Sequence, residues 1–261
     1  MAPTFRRPLA FVALLASAAL AVFPARLAQA AEVKVASEGT FKPFSFFTAG
    51  GQLTGFDVEL VQAICKAAGL DCVMVTMDYE GMMPALKEKK IDVIASGMSI
   101  TAKRKKVVAF TDRIRASGKR FVACAPDKFP KIGPDDLKGH IVGTQADTTS
   151  ADYIKAFYAG SDIRLYKSMD EAFADLSTGR LDLALAQDAT GYAFTTSPAG
   201  KGCRFVGDRL DDPKYFGEGV GLALRQSDTD LVAALNAGIR KILADGTYKA
   251  LNAKYFPFAV Y

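Results

Sequence analysis

Leu86-Lys87-Glu88-Lys89-Lys90-Ile91-Asp92-Val93-Ile94-Ala95 ends a helix, turns tightly and enters a buried strand. Ninety residues on, Leu176-Ser177-Thr178-Gly179-Arg180-Leu181-Asp182-Leu183-Ala184-Leu185 repeats those roles in the same order. Two α/β units built alike in one chain imply two lobes rather than one continuous sheet. The 261 residues are half hydrophobic and 23% charged. That is enough apolar chain for two lobes, and too even a composition for a disordered or fibrous protein.

Outward from the repeat the periodicity alternates between strand and helix. Val33–Ser37 reads as a strand and 56–68 as a helix, with apolar Val58, Leu60, Val61 and Ile64 at helical spacing and Gly69 as its C-cap. A strand at 73–76, a helix at 81–88, a strand at 91–96 and a helix at 101–107 follow. After a strand at 121–125 the rhythm restarts with strands at 141–144, 163–166 and 181–187 and helices at 149–158 and 169–178. Helices at 229–244 and 247–255 close the chain. Ligands of open α/β sheets sit beyond the carboxyl ends of the strands. Two facing lobes would gather those strand ends and the following helix starts around one cleft.

The first 30 residues stand apart. Arg6 and Arg7 precede an apolar run from Leu9 to Phe23, and Ala28-Gln29-Ala30 has the small-x-small ending of a secretory leader. Cleavage is expected after Ala30, and no cysteine follows the run to take a lipid anchor. Three arginines and no acid lie in this stretch, so of the net +5 the remainder keeps +2. That is not a nucleic-acid surface. The one basic run, Lys103-Arg104-Lys105-Lys106, reads as a solvated face with one member free to turn inward.

Four cysteines in an exported chain invite disulfides. Cys65 and Cys72 flank a helix end and a strand start, which suits a small closed loop. Cys124 and Cys203 either pair across neighbouring strands or remain free buried thiols. No CxxC or zinc spacing occurs. The single histidine, His140, precedes a strand, so a multi-histidine metal site is excluded and a hydrolytic triad finds no support. Gly217-x-Gly219-x-Gly221 is a turn, not a nucleotide loop, because no helix opens after it. No cofactor is called for.

What remains is a set of polar groups at strand ends and helix starts. Ser96-Gly97-Met98-Ser99-Ile100-Thr101 leaves a strand and enters a helix with Arg104 in its first turn, where backbone N–H groups and a guanidinium would hold a carboxylate. Asp147-Thr148-Thr149-Ser150 does the same in the second unit, and Asp188 closes its last strand, where a carboxylate would hold an ammonium. Singly, each is a cap or a strand end. Together they make a receptor for a zwitterion.

At this point the sequence resembles the periplasmic amino-acid-binding proteins of ABC importers, bacterial solute-binding protein family 3, the group of lysine/arginine/ornithine, histidine, arginine and opine binders. The resemblance runs from Val33 to Tyr261. It is densest in Gly55-Phe56-Asp57-Val58-Glu59-Leu60, Met83-Pro84-Ala85-Leu86-Lys87 and Met98-Ser99-Ile100-Thr101 with Arg104. Phe110-Thr111-Asp112, Lys214-Tyr215-Phe216-Gly217, Asp245-Gly246-Thr247-Tyr248 and Lys254-Tyr255-Phe256 extend it.

The resemblance implies an α/β, two-lobed periplasmic binding protein-like fold of type II. Each lobe would be a mixed sheet flanked by helices, joined by two crossing hinge strands, with lobe 1 at 32–115 and 220–261 and lobe 2 at 118–212. It implies a monomeric, non-enzymatic periplasmic subunit that closes on a polar or basic amino acid and delivers it to membrane permease subunits. It assigns the ligand α-carboxylate to Arg104 with the N–H groups of Ser99 and Thr149, and counts Thr148 and Ser96 among the ligand-binding residues. Asp188, the Gly97 carbonyl and the Ser99 hydroxyl take the α-ammonium. Phe41 and Tyr79 sandwich the ligand side chain and Glu38 accepts from its far end. Cys65–Cys72 matches the family disulfide, and Cys124–Cys203 is predicted as a second bridge outside that pattern.

Glu38, Phe41 and Gly97 depart from the lysine/arginine/ornithine binders, and Gln145-Ala146-Asp147 replaces a more usual Leu-Gln-Gly. An acceptor carboxylate between two aromatics suits a guanidinium. Arginine-like amino acids are therefore expected first, then opines, then glutamine. A ligand-presenting sensor protein and a cyclohexadienyl dehydratase-like enzyme share the fold as alternatives.

Overall fold

The computed structural model describes Met1 and residues 32–261. The expected leader and its cleavage site lie outside the described residues. In the first half of the chain β1 (Val33–Ser37), β2 (Thr40–Phe41), β3 (Ser45–Phe47) and β4 (Leu53–Thr54) precede α1 (Phe56–Ala68). Then come β5 (Cys72–Thr76), α2 (Tyr79–Lys87), β6 (Val93–Ile94), α3 (Ala102–Lys105) and β7 (Ala109–Phe110). The middle holds β8 (Lys119–Ala123), β9 (Ile141–Gln145), α4 (Thr149–Phe157), β10 (Asp162–Tyr166), α5 (Met169–Ser177), β11 (Leu183–Gln187), α6 (Asp188–Thr195) and β12 (Arg204–Leu210). After α7 (Pro213–Phe216) and β13 (Ala223–Leu224), α8 (Thr229–Ala244) and α9 (Thr247–Tyr255) end the fold.

Two five-stranded sheets result, ordered β5-β1-β6-β13-β7 and β10-β9-β11-β8-β12. Both are mixed. β1 runs parallel to β5 and β6, and β9 parallel to β10 and β11, while β13 and β8 pair antiparallel with their neighbours. The first sheet takes strands from both ends of the chain and the second only from the middle, so the chain crosses between them twice, through 111–118 and 211–222. A small β2-β3-β4 sheet hangs on the first.

Helix α1 shows how the sequence builds the packing. Phe56, Leu60, Val61, Ile64 and Cys65 are buried in one cluster with Leu235, Ile239 and Ile242 of α8, and Val58 is buried as well. Each fully buried aliphatic side chain contributes about 1.5–3 kcal/mol. Asp57 and Glu59 sit in the first turn, where the helix dipole favours acids, and Gly69 ends the helix at φ 70°. Cys65–Cys72 ties that end to β5, and Cys124–Cys203 ties the end of β8 to the segment entering β12; both bridges are formed.

The structure shifts several elements. Helix α2 starts at Tyr79, two residues earlier than the apolar spacing predicts, because Asp78 takes the extended conformation of an N-cap. The strand expected over 91–96 pairs only at Val93–Ile94; beyond it Gly97 turns the backbone at φ 67°. Helix α3 is a single turn, so Ser99 precedes it and instead makes a backbone bridge to Val220. Asp188 opens α6 directly after β11. No helix among the described residues is long and apolar enough to cross a membrane.

Candidate ligand cleft

The carboxyl ends of β1, β6, β9 and β11 converge where the two sheets face each other, and each contributes a polar side chain. Glu38 follows β1 and is buried. Its Oε2 accepts from Ser96 Oγ at 2.8 Å and its Oε1 from Gln145 Nε2 at 2.6 Å, the second bond reaching across to the other sheet. Burial pushes the Glu38 carboxyl up to about 7, against the two hydrogen bonds that favour its charge.

Arg104 turns inward from the basic run, as one member was expected to, while Lys103 and Lys105 pair on the surface with Asp152 and Glu218. Thr101 Oγ1 caps its N–H at 3.2 Å and fixes the start of α3. The guanidinium donates to the Ser99 carbonyl at 3.2 Å, to Tyr79 Oη at 3.1 Å and, across the cleft, to the Asp147 carbonyl at 3.2 Å. Asp147 presents that carbonyl from a left-handed turn at φ 56°. All three partners are neutral oxygens, so the charge of Arg104 has no carboxylate within ion-pair distance among the described residues. Ser99 Oγ and Thr149 Oγ1 stand 3.5 Å apart, facing from opposite sides of the cleft.

Phe41, Tyr79, Ser96, Gly97, Ser99, Arg104, Thr148 and Thr149 therefore line one cavity. The Thr148 hydroxyl caps α4 by accepting from the Ala151 N–H at 3.2 Å and donates to the Gln145 carbonyl at 2.8 Å. Glycine suits 97: its φ of 67° is left-handed, and a Cβ there would lie 2.8 Å from the Phe41 ring and 2.9 Å from Arg115 Nη2, so both side chains would have to shift to admit one. The cavity encloses about 30 Å³, about one water molecule's share of liquid volume. Anything larger than a water enters only when the cross-cleft bonds part.

Asp188 is placed differently from the other expected residues. It lines a neighbouring cavity with Arg115, Gln187 and Arg209, one carboxylate oxygen bonded to Arg209 Nε, the other buried and without a partner among the described residues. His140 precedes β9, at the end of that strand opposite Gln145, and packs on Phe129, with Asp182 Oδ2 at 3.4 Å from its Nδ1.

Four residues to which sequence reasoning gave no role complete the site. Gln145 and Gln187 end β9 and β11, positions the strand-end rule itself points to. Gln187 accepts from Arg115 Nη1 and donates to the Gly97 carbonyl at 3.2 Å. Arg115 is buried over the Phe44 ring at 3.6 Å and holds Asp57 through two bonds, at 3.1 and 3.0 Å. Lys119, the first residue of β8, is buried on the cavity wall, and its Nζ donates to the Ser117 carbonyl at 2.9 Å. Nothing local marked it, since Arg120 beside it is charged as well.

Two mixed sheets, crossed twice by the chain, with a cation-lined cleft at their strand ends, match one family model over residues 33–258: bacterial extracellular solute-binding proteins, family 3. The chain belongs to this family. It is similar to the L-arginine-binding protein of Pseudomonas aeruginosa, 42% identical over 88% of this chain and 89% of that one. It is also similar to the lysine/arginine/ornithine-binding periplasmic protein of Escherichia coli (strain K12), 39% identical over the same shares. Among solved structures, an ancestral arginine-binding protein bound to arginine superimposes with a TM-score of 0.79. That likeness has 33% identity and covers 86% of this chain and 98% of the other. The two-lobed type II architecture follows.

Proposed function

We propose that this solute-binding protein is the periplasmic subunit of an ABC amino-acid importer, that it closes on an arginine-class amino acid, and that it hands the ligand to membrane permease subunits without chemical turnover. Residues 1–30 serve as the leader. Residues 32–115 with 220–261 form one lobe and 118–212 the other, and the protein works as a monomer. Arg104 anchors the ligand α-carboxylate beside Ser99 and Thr149. Phe41 and Tyr79 flank the side chain, and Glu38 receives the far cationic end.

The observation that carries this reading is the unneutralised guanidinium of Arg104, held by three neutral oxygens in a cleft between lobes. A guanidinium binds a carboxylate bidentately in preference to neutral acceptors. Glu38 at the opposite end gains from a guanidinium that keeps it charged, and trading the Gln145 bond for the ligand lets the lobes rearrange. A micromolar Kd asks for about 8 kcal/mol, a modest demand for two charged anchors and two rings. A thermal-shift panel of the common amino acids with ornithine and citrulline tests it. Saturation at a hundred times Kd adds about 2.7 kcal/mol, so arginine and its relatives are expected to raise the melting temperature by a few degrees. No shift with any of them would overturn the reading.

A further inference from the structure

An acid closing β11 would hold a ligand ammonium, and the structure puts an amide in that place. Gln187 is the residue of the strand end that lines the cleft cavity, whereas Asp188, next along the chain, lines the neighbouring cavity and answers Arg209. The Gly97 carbonyl, another acceptor expected for an ammonium, already takes the Gln187 Nε2–H at 3.2 Å, and Gln187 Oε1 accepts from Arg115. Arg115 in turn has Asp57 as its counter-ion. Among the described residues no acid lines the cleft cavity, and two cations do. Arg104 donates only to neutral oxygens, and Lys119, 2% exposed, has the Ser117 carbonyl as its one acceptor.

An α-carboxylate suits this end, because it answers the guanidinium of Arg104 and offsets Lys119. An α-ammonium does not. Its remaining acceptor would be the Ser99 hydroxyl, 3.5 Å from Thr149 Oγ1, and it would add a positive charge beside Arg104 and Lys119 among buried side chains, where like charges are screened least. Resting on the reading above for the carboxylate at Arg104 and the cationic far end at Glu38, we infer that Gln187 and Lys119 make the α-subsite selective for a neutral hydrogen-bonding substituent, so that a guanidino acid with an α-hydroxyl binds more tightly than arginine. A hydroxyl both donates and accepts, so Ser99 and Lys119 can serve it with no charge to offset. Burial, then repulsion from Arg115 and Arg104, bring the Lys119 ammonium down to about 7, with Asp188 favouring its charge and Arg209 opposing it. A carboxylate seated beside Lys119 restores the proton, and a ligand ammonium works against that.

Calorimetric titration of the mature protein with L-arginine and with L-argininic acid, in which a hydroxyl replaces the α-ammonium, tests this. The hydroxy acid is expected to bind at least tenfold tighter at pH 6. The preference should shrink by pH 8, as Lys119 gives up its proton in the arginine complex. Glu38 titrates over the same range but meets the same guanidinium in both ligands, so it cancels from the ratio. Lys119→Met is expected to bring the two affinities within threefold, and Gln187→Glu to turn the preference towards arginine by supplying the missing acid. Comparing two ligands on one protein cancels any loss of folded fraction. Arginine bound by the wild type as tightly as the hydroxy acid or more tightly, or a preference that neither substitution alters, overturns the inference and leaves the amino-acid-binding reading intact. Failure of both ligands to bind the wild type overturns both.

Discussion

Two buried-facing guanidiniums stand at one end of the cleft, and their surroundings differ in one respect. Arg115 meets the Asp57 carboxylate through two bonds, lies over Phe44 and is sealed from water. Arg104, half-buried, is held by a carbonyl from each side of the cleft and a phenol. The described residues supply the counter-ion of the first and not of the second. A neutralised buried charge is part of the scaffold, whereas an oriented but unneutralised one is waiting for something from outside.

The comparison breaks most visibly if Asp57 is replaced. Asp57→Asn leaves Arg115 buried without its anion and is expected to cost about 3–5 kcal/mol of stability, read by urea unfolding. A loss below 1 kcal/mol would mean that Arg115 is not scaffold. Arg104→Ala should reverse the pattern, with unfolding nearly unchanged and binding of arginine weaker by about 2–5 kcal/mol, seen in calorimetry. Next in size, Glu38→Gln should weaken cationic ligands by about 1.5–3 kcal/mol and neutral ones far less. Equal losses across a panel would remove Glu38 from the far end of the ligand.

The smallest effect is on pH. The folded value of Glu38, about 7, lies above its unfolded value. Its contribution to stability is therefore full below the unfolded value and is lost as pH rises through about 7. Binding runs the other way. A guanidinium needs Glu38 ionised, so arginine affinity should climb by up to about tenfold between pH 6 and 8, with proton release at the low end. A flat profile in buffers of different ionisation enthalpy would contradict that pairing.

Much of the architecture was legible because it rests on local periodicity. The stripe of α1, the Gly69 cap and the two repeated helix–turn–strand passages fix elements whose bounds the structure reproduces within a residue or two. Short elements were not. β2, β3, β4 and β13 are two or three residues long and owe their existence to pairing with distant partners. α6 and α7 open on Asp188 and Pro213 in stretches with weak apolar spacing.

The cleft shows the same division. Arg104, Ser99 and Thr149 stand next to recognisable turns, and the structure gathers them. Lys119 and Arg115 lie on the first crossing segment and the strand it enters, and nothing local says whether a charge there faces solvent or a cleft. Asp188 was legible as a strand-end acid, but its bond to Arg209, 21 residues on, is a tertiary fact.

The most direct test is a calorimetric titration of L-arginine into the wild-type protein and into Arg104→Ala at pH 8, with unfolding curves for both. The account predicts one-to-one micromolar or tighter binding to the wild type and at least a thirtyfold loss in the variant, about 2 kcal/mol, with coincident unfolding curves. Equal affinity in the two proteins would contradict it, because the charge left without a counter-ion would then have no part in holding the ligand.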